Sequence, residues 1–312
     1  KEGYNVIVID NFSNSSPNII EKINKITNST NKFIEGDIRD KDILGRVFSE
    51  NKIDSVIHFA GLKSISESMI KPIEYYSSNI SGSINLFQEM RKAKINKIIF
   101  SSSAAVYGND HDLPWHEGLE LKMPSNPYAQ SKLIVEKILQ HISSVEKNWS
   151  VGILRYFNPI GYHESGTIGD NINKEIDNLI PSIVSVLIGK SSYLNIFGDD
   201  YDTPDGTGVR DYIHINDLLD GHLRALNYIN LNHGVNIWNL GVGKGYSVFE
   251  IIKVFEDLIG KKISYRIKER RKGDLSEYWA KPEKAKRELQ WNAKKDIKEM
   301  AKDTLRYVNK LM

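Results

Sequence analysis

Apolar residues in this chain come in short β-branched runs separated by stretches of helical period. Residues 6–9 form the first run, closed by Asp10-Asn11, and similar runs recur at 32–37, 55–61, 97–101 and 151–155. Runs of this length and composition read as strands buried on both faces. Helical stretches lie between them, at 41–51, 78–93 and 128–145. Strands alternating with helices predict βαβ units and a parallel sheet, hence an α/β fold. In such sheets ligands sit at the carboxyl ends of the strands. Here those ends carry Asp10-Asn11, Asp37, the segment from Phe59 to Lys63, Ser101-Ser102-Ser103 and Tyr156-Phe157-Asn158, which have the small and polar composition of a site rim.

After Asn158-Pro159 the pattern changes. Residues 160–175 are rich in Gly, Asn and charge and read as loop; helices are predicted at about 176–188, 216–229, 247–259, 283–289 and 297–311, with a strand at 237–240. The predicted organisation is therefore a larger domain over 1–159 and a smaller α/β domain over 160–312, a length compatible with two domains. Composition is that of a globular chain, with 40% apolar and 26% charged residues and a net charge of +2. No basic tail points to nucleic acid or a membrane surface. The absence of cysteine excludes disulfides and thiolate zinc sites. No apolar run is long enough to span a bilayer and no signal peptide is visible, so the expected location is the cytoplasm.

Two segments imitate known ligand loops. Residues 198–211 are rich in Asp, but their spacing and the lack of a closing Glu do not fit a calcium loop, so no metal is expected. Gly241-Val242-Gly243-Lys244-Gly245 sits between a strand and a helix capped by Ser247, but its spacing fits neither phosphate-loop pattern; it reads as a tight turn. The chemically suggestive stretch is Ser125-Asn126-Pro127-Tyr128-Ala129-Gln130-Ser131-Lys132. Tyr128 and Lys132, at i and i+4, share a helix face. A free phenol, with a pKa near 10, is a poor base at neutral pH, and a neighbouring cation favours its phenolate. The pair can make Tyr128 a general base. The same spacing also fits a packed Tyr beside a solvated Lys.

The wider set of motifs decides between these. With Asp10, Asp37, His58 to Lys63, Ser101 to Gly108, Tyr128-x-x-x-Lys132, Arg155 to Pro159, Gly206 to His214 and Arg271 to Ala280, the sequence resembles the extended short-chain dehydrogenase/reductase superfamily. Within it, over essentially all 312 residues, it resembles the UDP-glucose (UDP-galactose) 4-epimerase family. The resemblance implies a Rossmann-type doubly wound parallel sheet with a smaller substrate domain, NAD as cofactor and UDP-glucose or UDP-galactose as substrate. It implies that Asp10, Asn11 and Asn14 hold the adenosine ribose, that Asp37 and Ile38 border the adenine, and that Phe59, Ala60 and Lys63 flank the pyrophosphate and nicotinamide ribose. Ser78 stands where the family often has Asn. Ser103, Tyr128 and Lys132 are implied as catalytic. Across the domain cleft, Asn158, Asn178 and Leu179 would meet the diphosphate and sugar, and Asn195, Ile196 and Phe197 the uracil. Arg210 and Arg271 would neutralise the diphosphate, Asp274 would take the uridine ribose, and Tyr278 would stand beside the sugar C2 substituent.

The implied chemistry is oxidation at C4, turning over of the 4-keto sugar, and re-reduction on its other face. A dehydratase of the same superfamily would need an Asp-Glu pair after Ser103; Ala104 and Ala105 stand there and cannot transfer protons. A non-catalytic nucleotide-binding protein is the remaining alternative, and an intact Ser103, Tyr128 and Lys132 argue against it. In this fold a first strand and a Gly-x-x-Gly-x-x-Gly turn precede the Asp10 strand by about 20 residues. Neither is present, so the expectation is an N-terminally incomplete chain. The family's four-helix dimer interface would fall on 78–93, with Ile80, Ile84 and Phe87, and on 128–145, with Leu133, Val135, Ile138 and Ile142; a homodimer is expected.

Overall fold

The computed structural model describes residues 2–108, 111–170, 178–271 and 273–312. The chain folds as two compact units: Lys1–Phe100, Asn126–Val151 and Ile229–Val235 form unit 1, and Ser101–Ser125, Gly152–Tyr228 and Asn236–Met312 form unit 2. The fold class is α/β, as the alternation of runs predicts.

In the first part of the chain, β1 (Ile7–Asp10) and β2 (Lys32–Glu35) flank α1 (Asn18–Thr27) and pair in parallel, with Asp10 opposite Glu35. Helix α2 (Lys41–Glu50) begins where the Asp40 carboxylate accepts the backbone N–H groups of Asp42 and Ile43. It buries Leu44, Val47 and Phe48, the i, i+3, i+4 stripe of a helix facing a core. Strand β3 (Val56–His58) pairs in parallel with β4 (Lys97–Ser101). With β5 (Ser150–Tyr156) and β9 (Gly234–Leu240) they form a sheet in the order β3-β4-β5-β9. The β4 residues Ile98 and Ile99 are fully buried, as its unbroken apolar run requires.

The helix predicted over 78–93 has a different construction. After α3 (Ile65–Ile70), α4 (Pro72–Tyr76) runs through a π turn (Ser77–Ser81) into α5 (Gly82–Lys92). The apolar period is satisfied on either side of the π turn, so periodicity alone does not reveal the extra residue. Helix α6 (Pro127–Val145) matches its predicted span, with Asn126 Oδ1 accepting from the Ala129 N–H at 2.9 Å and Pro127 at its first position.

Unit 2 is built round β8 (Val209–His214). Strands β6 (Asn158–Ile160) and β12 (Glu277–Tyr278) pair with it in parallel and β10 (Gly245–Ser247) in antiparallel fashion. Separately, β7 (Leu194–Phe197) pairs in parallel with β11 (Tyr265–Lys268). Helices α7 (Leu179–Leu187), α8 (Ile215–Leu231), α9 (Val248–Ile259), α10 (Glu283–Leu289) and α11 (Ile297–Leu311) complete the chain. Residues 176 and 177, where the pattern starts the first of these helices, and residues 171–175 of the predicted loop lie outside the described residues, as does Lys272. Capping boxes, Ser247 with Glu250 and Asp296 with Glu299, fix the starts of α9 and α11. The core of unit 2 gathers Ile180, Ile183, Val184, Leu194, Ile196, Ile251, Phe255 and Met300.

The glycine-rich segment 241–245 is a turn, and the amides of Val242 and Gly243 in it are occupied. The buried Asp211 carboxylate accepts from Val242 N and Gly243 N at 2.9 Å each, and from Ala280 N at 3.1 Å. An internal carboxylate takes the donors that a phosphate would need.

Candidate active site

Tyr128 and Lys132 project from the first two turns of α6, and both are buried, at 7% and 5% exposure. The lysine ammonium lies 4.9 Å from the Phe100 ring centroid. Burial lowers its pKa to about 8, and the negative charge of Glu136, one turn further along α6, acts in the opposite sense. Here α6 therefore supplies a lysine that is charged at neutral pH but close to its titration point. Its neighbour His58 is buried at the end of β3; burial first, and the Lys132 cation second, hold its pKa down to about 3. His58 is thus a neutral ring, bonded to Ser83 Oγ at 2.8 Å.

The π turn presents Asn79 to this region. Its Oδ1 accepts the Leu62 N–H at 2.7 Å, and its Nδ2 donates to Leu62 O at 3.0 Å and Ser131 Oγ at 2.9 Å. Ser131 Oγ in turn donates to Tyr128 O. One fully satisfied amide therefore ties the loop after β3 to the helix of Tyr128 and Lys132. Gly61 has φ +151°, and a Cβ there would stand 3.0 Å from Asn79 Oδ1, so glycine is required for this close approach.

The residues assigned to a nucleotide occupy the carboxyl ends of β1 to β3. Asp10 Oδ1 accepts from Phe12 N at 2.7 Å and Ser15 Oγ at 3.2 Å. Asn11 donates to Asp37 at 2.8 Å, and Arg39 forms a bidentate pair with the same carboxylate, at 2.9 and 2.6 Å. The Arg39 bond is the main reason that Asp37 is held well below the usual carboxylate range. Asn14 is exposed, and Ile38 is half-buried against Gly82. Phe59 is 50% exposed at the end of β3, followed by exposed Ala60 and Lys63; Ser78 is half-buried in the π turn.

Within unit 2, Ser103 follows β4 as the cap of a short 3-10 turn (Ala104–Tyr107), with its Oγ accepting from Ala105 N at 3.2 Å. Four predicted residues form one connected group. Asn158 Nδ2 donates to Asp211 O, and its Oδ1 accepts from Tyr278 Oη at 3.2 Å. The Arg210 guanidinium lies 4.7 Å from the Tyr278 ring centroid and donates to Asp274 Oδ1 at 2.6 Å. Arg210 also donates to Val209 O, Ser276 O and Leu275 O, so it is locked in place. A second group joins Arg271 and Phe197, with the guanidinium 4.0 Å from the ring centroid.

Of the three uracil candidates, Ile196 is buried in the core and offers no side chain. Leu194 and Gly198 donate to Ser264 O and Lys268 O beside β7. By strand alternation the N–H and C=O of Asn195 and Phe197 face the other edge. Asn178 precedes α7 and is exposed, and Leu179 is half-buried.

Sequence reasoning missed three residues here: Asn79, His58 as the neutral neighbour of Lys132, and Trp115, which stacks on Tyr278 with ring centroids 5.1 Å apart and an interplanar angle of 7°. Trp115 has one weak signal, a single bulky aromatic in a polar segment.

A parallel α/β fold with Tyr128 and Lys132 paired on α6 defines the class of the extended short-chain dehydrogenases/reductases. A family model described as "GDP-mannose 4,6 dehydratase" matches residues 1–304. A UDP-glucose 4-epimerase of Yersinia enterocolitica is 50% identical over 98% of this chain and 91% of its own length. The solved UDP-glucose 4-epimerase of Bifidobacterium longum, in complex with NAD+ and UDP, superposes with a TM-score of 0.96 at 46% identity, covering 99% of this chain and 92% of that one. That of Stenotrophomonas maltophila, with bound NAD and formylated UDP-arabinopyranose, has the same TM-score at 39% identity, over 99% and 92%. The chain belongs to the UDP-glucose 4-epimerase family.

Proposed function

We propose that this chain is an NAD-dependent isomerase that interconverts UDP-glucose and UDP-galactose. The observation that carries the reading is 50% identity over 98% of the chain to an epimerase, with Tyr128 and Lys132 intact. Elimination of water, the chemistry named by the family model, lacks its acid and base, because Ala104 and Ala105 follow Ser103.

The residues at the nucleotide end fit NAD. Asp10, at the end of β1, is an acceptor that suits ribose hydroxyls over a 2′-phosphate, and Asp37, after the adjacent β2, borders the adenine. Asn11, Asn14 and Ile38 complete that end, and Phe59, Ala60, Lys63 and Ser78 flank the nicotinamide half. When bound, NAD would supply reversible hydride acceptance at C4 of the sugar. Tyr128 removes the proton of the sugar 4-hydroxyl; Ser103 hydrogen-bonds that oxygen. Lys132 supplies the positive charge that favours the Tyr128 phenolate.

Arg210 and Arg271 neutralise the diphosphate, whose oxygens suit planar guanidinium donors. Asn158, Asn178 and Leu179 contact diphosphate and sugar, and Asp274 the uridine ribose. The outward backbone groups of Asn195 and Phe197 match the imide edge of uracil, with Ile196 as spacer. Tyr278 stands beside the hexose C2 substituent. In this assignment residues 1–159 serve the cofactor and 160–312 the UDP-sugar.

The assembly we propose is a homodimer in the cytoplasm. Ile84, Phe87, Ile138 and Ile142 line a groove between α5 and α6, whereas Leu133 and Val135, also expected on this face, are buried within unit 1. Among the described residues no helix is long and apolar enough to cross a membrane. The test of function is incubation of the protein and NAD with UDP-galactose, with nucleotide sugars resolved by proton NMR. Appearance of UDP-glucose from UDP-galactose, and of UDP-galactose from UDP-glucose, is expected; no interconversion refutes the reading.

A further inference from the structure

Tyr278 is partly buried on a two-residue strand, an element too short by itself to fix its side chain. Its neighbours fix it instead. Trp115 lies flat against the ring, while Tyr278 Oη is held by Asn158 Oδ1. Trp115 is itself fixed more firmly than a loop residue needs to be. Its N–H donates to Trp279 O at 2.9 Å. Its carbonyl accepts from Lys281 N at 2.7 Å and from Asn239 Nδ2 at 2.9 Å. Asn239 is fully buried and is held in turn by Tyr107 Oη at 2.6 Å and Glu117 Oε1 at 2.7 Å. The Trp115 ring, 3% exposed, is therefore a rigid support under a partly exposed tyrosine.

We propose that Trp115 is a positioning residue for substrate choice: its ring sets how far Tyr278 can recede, and so which C2 substituent on the UDP-linked hexose is accepted. The inference rests on the reading of Tyr278 as the residue beside that substituent. With Trp115 in place, a hydroxyl fits and an acetamido group meets a wall that cannot yield. One methylene too many in a close-fitting pocket already discriminates by roughly 10- to 200-fold, and an acetamido group exceeds a hydroxyl by more than that. Removing the Trp115 ring opens space behind Tyr278 while leaving its phenol and every catalytic group in place.

The experiment compares kcat/KM for UDP-galactose and UDP-N-acetylgalactosamine in the parent, Trp115→Ala, Trp115→Leu, Trp115→Phe and Tyr278→Ser. Trp115→Ala should raise the N-acetyl:plain ratio by about tenfold or more. Trp115→Phe, which still stacks, should keep the parent ratio, and Trp115→Leu, which fills the core without a flat face, should fall between. A merely structural tryptophan would lower both substrates by one factor. A ratio unmoved in Trp115→Ala and Trp115→Leu, while Tyr278→Ser shifts it, overturns the role of Trp115 alone. A ratio unmoved in Tyr278→Ser overturns the reading of Tyr278, and this inference with it.

Discussion

Replacing Glu136 by Gln tests the electrostatics of the proposed base most directly, because it leaves Tyr128 and Lys132 in place. Glu136 is fully buried one turn from Lys132, and its charge raises a lysine pKa that burial has lowered to about 8. The Cβ atoms of residues at i and i+4 lie about 6 Å apart, which sets the scale of the charge separation. At an effective dielectric constant near 20, two unit charges at that distance interact by about 3 kcal/mol, or about two pKa units. The substitution should therefore move Lys132 from about 8 to roughly 6. At pH 7 its charged fraction would fall from about 90% to about 10%. If turnover needs the cation, kcat at pH 7 drops about tenfold, and the alkaline limb of the kcat profile moves down by about two units. The assay is kcat against pH from about 5.5 to 9.5 for parent and variant, with the ε-carbon NMR shift of Lys132 as the direct readout. A limb that stays within half a unit of the parent refutes the coupling.

Tyr128→Phe should retain fold and NAD binding and lower turnover by roughly 10²–10⁴, the loss of a general base; near-parent turnover refutes the assignment. The folded-state pKa of Lys132 lies below its ordinary 10.5, so its cost is absent above that pH and fully present below about 8. Lys132→Met should then abolish activity yet stabilise the fold at pH 7, by up to about 3 kcal/mol in urea unfolding. His58 and His222 are held neutral by burial, at about 3 and about 4. The unfolded chain protonates them below about 6.5, so stability is intact above that pH and falls by about 2 kcal/mol per histidine at pH 5; equal melting temperatures at pH 7.5 and 5 refute this. Ile84→Glu with Ile138→Glu should halve the mass seen by light scattering, and a parent already monomeric at micromolar concentration rules out the dimer.

The sequence was most legible where chemistry and period coincide. Tyr128 and Lys132 share a helix face whatever the tertiary structure, and the unbroken run of β4 could only be a buried strand. Ser247 before an apolar period marked the start of α9, and the spacing at 241–245 already argued against a phosphate loop. What sequence did not reveal depends on long-range partners. Nothing local says that Asp211 fills the 241–245 turn, that Trp115 lies on Tyr278 more than 160 residues away, or that Ile196 turns inward. The π turn hid for another reason: residues 72–92 are helical throughout, and one residue inserted into a helix leaves its composition unchanged.

That insertion has a consequence for how the gene can vary. Each residue of an α-helix advances the chain by about 100° round the axis. The extra residue in Ser77–Ser81 lets one continuous rod aim Asn79 at Leu62 and still turn Leu86, Phe87 and Met90 to the core. Deleting Ser77 would restore a regular helix and rotate one of these faces by about 100° against the other. A substitution at Ser77 that keeps its backbone N–H should cost far less than a single-codon deletion there. In this segment length, more than spelling, is under constraint.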